Sequence, residues 1–234
     1  MKTSPTIILI LNDDGDDSFA TAITTGLQTS NLKQSNEVFE LPLERYGIKD
    51  VKAEGSVTHF VDSNGAQQVS ILVLQKYESP VLACAISEVL SSLAEDTSTM
   101  PSLILPFILD SSKIKLERKS STNENIYGIQ IGPQTDMMQT LSSRHVKAPS
   151  SMQIHHEPLV CALQLVRVLK TSAFILIGQT GQQQTSTDEL EVICKIGETL
   201  ASASSLQFAK EKVTWNPKKA SKELEKEPWR ALYG

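Results

Sequence analysis

The densest cluster of chemistry-bearing side chains is Asn12-Asp13-Asp14-Gly15-Asp16-Asp17, near the start of the chain. Carboxylate oxygens are hard ligands that suit Mg, Mn or Ca, and grouped at a strand end they could hold a divalent ion for phosphate-ester hydrolysis. Four Asp around a Gly also compose an ordinary exposed turn. The histidines, His59, His145, His155 and His156, contain no His-x-x-x-His pair. Adjacent His155 and His156 project in different directions on a helix or a strand, so metal-ligand spacing is absent. No Gly-x-Ser-x-Gly elbow supports a nucleophilic serine. Gly178-Gln-Thr-Gly181 lacks the Lys-Ser/Thr of a phosphate loop and the third glycine of a dinucleotide loop. Cys84, Cys161 and Cys194 sit in apolar segments that read as helix, where thiols are inert. We therefore expect no catalytic residue, no metal ligand and no cofactor.

The elements that would position these groups alternate. Ile7–Leu11 is a short β-branched apolar run, hence a buried strand, and residues 19–27 suit the helix after it. On that strand end, the Asn12–Gly15 string resembles the metal-binding opening of the SurE family of nucleotidases, which implies a divalent-metal nucleotidase or phosphatase as an alternative function. The resemblance covers about ten residues, and that family's later serine and Ser-Gly-Asn-rich stretch have no counterpart. Val69–Leu74 and Leu103–Leu109 read as further strands. Ser79-Pro80 opens a helix carrying Val81, Leu82, Ala85, Val89 and Leu93. Residues 110–151 read as loops around one strand at Ile126–Ile131. Pro158–Leu169 is an amphipathic helix and Phe174–Ile177 a strand, with a loop from Gly178 to Thr187. The capping box Ser186-Thr-Asp-Glu189 starts a last helix through Leu200. This pattern predicts an α/β layered fold with a largely parallel sheet flanked by helices over residues 1–205, plus a flexible C-terminal tail over 206–234.

Composition narrows the function classes. The chain has 234 residues and a formal charge of −5, so it offers no basic excess for nucleic acid. Its longest apolar run, Leu103–Leu109, is interrupted by Pro106 and far short of the roughly 20 residues of a membrane span. The short apolar start followed by aspartates does not fit a secretory signal, and three free cysteines suit a reducing compartment, so the expected location is the cytoplasm, with the nucleus as a second option.

The charge is divided unevenly. Residues 210–234 hold seven Lys/Arg and four Glu, a side-chain balance of +3, which leaves the body at −8. Pro217 and Pro228 break any long helix there. The segment finishes in Trp229-Arg-Ala-Leu232-Tyr233-Gly234, an aromatic-aliphatic tip on a basic arm. An apolar groove, a backbone nest and a lysine could receive such a tip.

Leu232-Tyr233-Gly234 fits the hydrophobic-Tyr-any-residue terminus with which proteasome-binding proteins enter the α-ring. With Arg144-His145-Val146, the Pro158–Leu169 helix, the Phe174–Ile177 strand and the Thr187–Leu200 helix, the chain resembles the proteasome assembly chaperone 1/2 family. It is nearer chaperone 1, since the glycine-rich motifs of chaperone 2 are missing. The resemblance implies a non-catalytic scaffold that pairs with proteasome assembly chaperone 2 and sits on the outer face of the α-ring. It makes Leu232, Tyr233, Gly234 and Trp229 the partner-binding residues, with Leu232 in an inter-subunit pocket and the Gly234 carboxylate on a lysine.

Overall fold

The computed structural model describes residues 4–12, 18–95, 101–116, 125–181 and 186–215. The chain begins with β1 (Thr6–Leu11), α1 (Phe19–Gly26), β2 (Leu27–Gln28), β3 (Lys33–Pro42), β4 (Lys52–Val61) and β5 (Gln67–Leu74). It continues through α2 (Val81–Glu95), β6 (Ser102–Asp110), β7 (Ile114–Lys115), β8 (Ile126–Ile131), α3 (Asp136–Arg144), β9 (Val146–Lys147) and β10 (Gln153–Ile154). The described part closes with α4 (Glu157–Val168), β11 (Ala173–Thr180), α5 (Ser186–Ser204) and β12 (Gln207–Phe208).

One eight-stranded sheet in the order β3-β4-β5-β1-β6-β11-β8-β9 organises the molecule. Its centre, β5-β1-β6-β11, is parallel, with Ile8 opposite Ile71 and Ile104. Antiparallel strands flank that centre, β4 beside β5 and β8 beside β11. The apolar runs of the central strands follow from burial on both faces. Ile7, Leu9 and Leu11 face α2 and α4, whereas Ile8 and Ile10 face α1, α3 and α5. Period-2 alternation thus divides a single apolar stretch between two cores, and the fold is a three-layer α/β/α sandwich.

Gly178 lies inside β11, which runs on to Thr180, although a glycine there reads as the start of a loop. A Cβ at Gly178 would sit 2.6 Å from Val192 and 2.7 Å from Ile196, so the missing side chain lets α5 lie close on the sheet. α3 occupies part of the region expected to be loops. Only Met138 and Leu141 are buried on it, too few to produce a readable helical period, and Thr135 caps it by accepting from the Met138 N–H at 3.3 Å. β3 is exposed over most of its length, so alternation cannot reveal it, and pairing with β4 from Lys33–Val61 to Pro42–Lys52 makes it a strand.

Residues 206–215, which the sequence reading assigns to the tail, pack on the body. β12 pairs with β2, and the Ala209 N–H donates to the Gly26 carbonyl at 2.8 Å. Phe208 lies over Gly26 and Gly197, where added Cβ atoms would come within 2.3 and 2.1 Å of its ring. The Trp215 indole donates to the Glu189 carboxylate at 3.0 Å.

Candidate functional site

Open α/β sheets bind ligands at the carboxyl ends of their parallel strands, beside the point where the chain changes direction across the sheet. Here that point is β1, whose neighbours β5 and β6 are joined to each other through α2. Asn12 leaves β1 with its N–H donated to the Leu74 carbonyl at 2.8 Å, and its Oδ1 is buried without a described hydrogen-bond partner. Asp13, Asp14, Asp16 and Asp17 lie outside the described residues. Among the described residues, no three His, Cys, Asp or Glu side chains are grouped as around a metal ion.

Two helix N-termini meet on the α2/α4 side of this edge. The Ser79 hydroxyl donates to the Glu157 carboxylate at 2.5 Å, tying the start of α2 to the start of α4. Glu157 also suits the positive end of its own helix. His156 is the N-cap of α4, its Nδ1 accepting the Leu159 N–H at 3.3 Å, and its ring stands edge-on to Phe107 at 6.0 Å. Burial, joined by the Lys113 charge, brings the His156 pKa from 6.5 to about 4. A neutral ring that accepts at Nδ1 carries its proton on Nε2, so His156 acts as a fixed cap.

The chemistry elsewhere is likewise structural. His59 and Ser70, which sequence spacing does not single out, come together with Nδ1 to Oγ at 2.7 Å, and Ser4 donates to Ser70 at 2.8 Å. A Ser–His pair could activate a nucleophile, but Ser70 and His59 are 1% and 3% exposed, which seals them from any substrate. Burial holds the His59 pKa below its usual value. Cys84, Cys161 and Cys194 are free thiols on α2, α4 and α5, and burial raises the Cys161 and Cys194 thiols above their ordinary range. No described helix is long and apolar enough to cross a membrane.

Two surfaces remain for recognition. The first is the outer edge of β3, which among the described residues is bonded to β4 on one side only, with Val38 80% exposed at its middle. Lys33, Glu37 and Glu40 along it discourage indiscriminate strand pairing and leave room for a matched partner. The second is the concavity where β8 and β9 meet the end of α3. The tail residues Trp229, Leu232, Tyr233 and Gly234 lie outside the described residues.

A family model for the domain of unknown function DUF7894 matches residues 1–234. The chain belongs to that family. No curated protein matches this DUF7894 chain. Among solved structures, it is similar to a Mycobacterium tuberculosis protein of unknown function, Rv2714, at 13% identity and TM-score 0.53, covering 97% of this chain and 78% of that one. A Thermoplasma acidophilum protein of unknown function matches at 11% identity and TM-score 0.52, covering 98% and 89%. PbaB from Pyrococcus furiosus, an archaeal proteasome activator, matches at 10% identity and TM-score 0.49, covering 99% and 94%. At these identities the DUF7894 chain shares with the first two an overall fold.

Proposed function

We propose that this protein is a non-catalytic chaperone of 20S proteasome assembly. It would bind the outer face of the α-ring as a heterodimer with proteasome assembly chaperone 2, and insert Leu232-Tyr233-Gly234 between α subunits. The observation that carries this reading is that apolar-Tyr-Gly tip on a segment of charge +3, set against a body of charge −8. The rooting of the chain at β12 and Trp215 supports it, because an arm fixed at its base delivers its tip from a defined point on the body. Trp229 would add a flat apolar contact beside the pocket. The β3 edge is the surface we assign to the partner chaperone.

The test is co-purification of tagged protein with α-ring subunits. Tyr233→Ala, deletion of residues 232–234, or extension of the sequence by two residues should each weaken recovery of α subunits at unchanged thermal stability. Undiminished recovery from all three variants would remove the tail from the mechanism. Mg- or Mn-dependent hydrolysis of nucleoside monophosphates, lost in Asp13→Asn, would overturn the chaperone reading altogether.

A further inference from the structure

On β8, the residues directed toward α3 are Ile126, Gly128 and Gln130, while Tyr127, Ile129 and Ile131 belong to the opposite core, and Gly132 follows the strand. Only Ile126 supplies a large apolar side chain to the α3 face. Met138 and Leu141 fill the space under the first turns of α3. Its last turn, Ser142-Ser143-Arg144, is polar and exposed, and it faces the glycines. Between them lies a cavity of about 440 Å³, within the usual size of small-ligand sites.

The walls of this cavity differ in character. Its floor is apolar: the buried Phe174 ring lies under Gly128, 2.6 Å from where a Cβ would be, and Ala148 lies beside it. Its rim is polar, formed by Gln130, Ser142, His145 and Lys147, and the Ser142 hydroxyl donates to the Gln130 side-chain Oε1 at 2.9 Å. A second hollow of about 380 Å³ opens on the other side of His145, lined by Arg144, Lys195 and Glu198. There Lys195 is paired with Glu191 and Glu198 with Lys210, each at 2.8 Å. Arg144 donates to the Ser202 hydroxyl beside that second hollow, and the described ion pairs do not include Lys147. On a body of net negative charge, Lys147 is therefore the cation at the rim of the first cavity, with no ion pair among the described residues.

We propose that this cavity binds a small organic anion, a carboxylate or phosphate on a compact planar or apolar body. The apolar part would rest on Ala148 and on the Gly128 backbone that covers Phe174, and the anion would meet Lys147, with the Ser142 hydroxyl turning from the Gln130 side chain to donate to it. This site lies at the end of the sheet opposite the β3 edge, and its test does not use the tail, so its outcome is read independently of the assembly role.

The test uses the full chain, ¹⁵N-labelled, titrated to about 20 mM with benzoate, phenyl phosphate or neutral benzamide. Saturable shifts of the Gly128–Gly132 and His145–Ala148 amides are expected with at least one anion, the stronger of the two naming the head group. Benzamide should bind about tenfold more weakly or worse. Lys147→Met, at an exposed position, should lower the anion affinity about fivefold with the spectrum otherwise unchanged. Ser142→Tyr, which places a ring at the mouth, should abolish binding. The proposal is overturned by absence of saturable shifts at these amides, by benzamide binding as well as the anions, or by undiminished affinity in both variants.

Discussion

Replacing His156 by Asn should remove much of the protein's acid sensitivity while keeping α4 capped. His156 accepts the Leu159 N–H through Nδ1, so protonating that atom destroys the cap. It also places a positive charge at the positive end of a helix, beside Lys113 and against Phe107. The folded-state pKa is about 4, against 6.5 for the free side chain. Because the folded value is depressed, the unfolded chain takes up the proton first. The contribution is therefore complete above pH 6.5, falls as the pH drops from 6.5, and is gone near pH 4. At about 1.4 kcal/mol per pH unit, the full loss amounts to about 3 kcal/mol. Asn is an effective N-cap and does not titrate, so its variant gives up only the ring's packing, about 1 kcal/mol at neutral pH. Urea unfolding of both proteins at pH 7.5, 6, 5 and 4.5 measures the difference. His59, depressed by burial in both, cancels from it. The wild type should be the more stable at pH 7.5 and should lose that advantage, or reverse it, by pH 4.5. A stability difference that stays constant with pH would refute this account of His156.

Gly197→Ala in the interior of α5 should destabilise the protein by about 1–3 kcal/mol, opposite to the usual helix-propensity gain, because its Cβ would lie 2.1 Å from the Phe208 ring. Limited proteolysis of that variant should show earlier cleavage around residues 206–215. Asp62→Ala removes an acceptor of the Asn64 and Ala66 N–H groups at 2.8 and 2.9 Å in the β4–β5 turn. It should lower the urea midpoint measurably at pH 7. That difference should shrink in acid, since these hydrogen bonds hold the Asp62 carboxyl below its ordinary pKa and its contribution disappears as pH falls through that depressed value. Val38→Lys, at an 80% exposed position, should leave thermal unfolding within about 0.5 kcal/mol of wild type while weakening capture of the partner chaperone.

The central layer was legible because its strands are buried on both faces, so Ile7–Leu11, Val69–Leu74 and Leu103–Leu109 are apolar runs that little else in a chain of this composition produces. The helices α2, α4 and α5 were legible for a related reason: each buries a broad stripe against that sheet. The tip Leu232-Tyr233-Gly234 and the division of charge between arm and body are likewise properties of the sequence alone.

The tertiary structure decided what depends on neighbours distant in sequence. β3 is a strand because β4 supplies its hydrogen bonds, and its own side chains barely alternate. Gly178 belongs to a strand because Val192 and Ile196 need the volume that a Cβ would take. His59 and Ser70 meet only when β4 and β5 pair, and residues 206–215 stay on the body because Phe208 finds two glycines beneath its ring. The cavity beside His145 exists because Gly128 of β8, and Gly132 just past it, lie across from the polar last turn of α3, a coincidence of two segments that neither announces by itself. Burial patterns are written along a chain, whereas clefts and contacts are set by which surfaces the fold brings together.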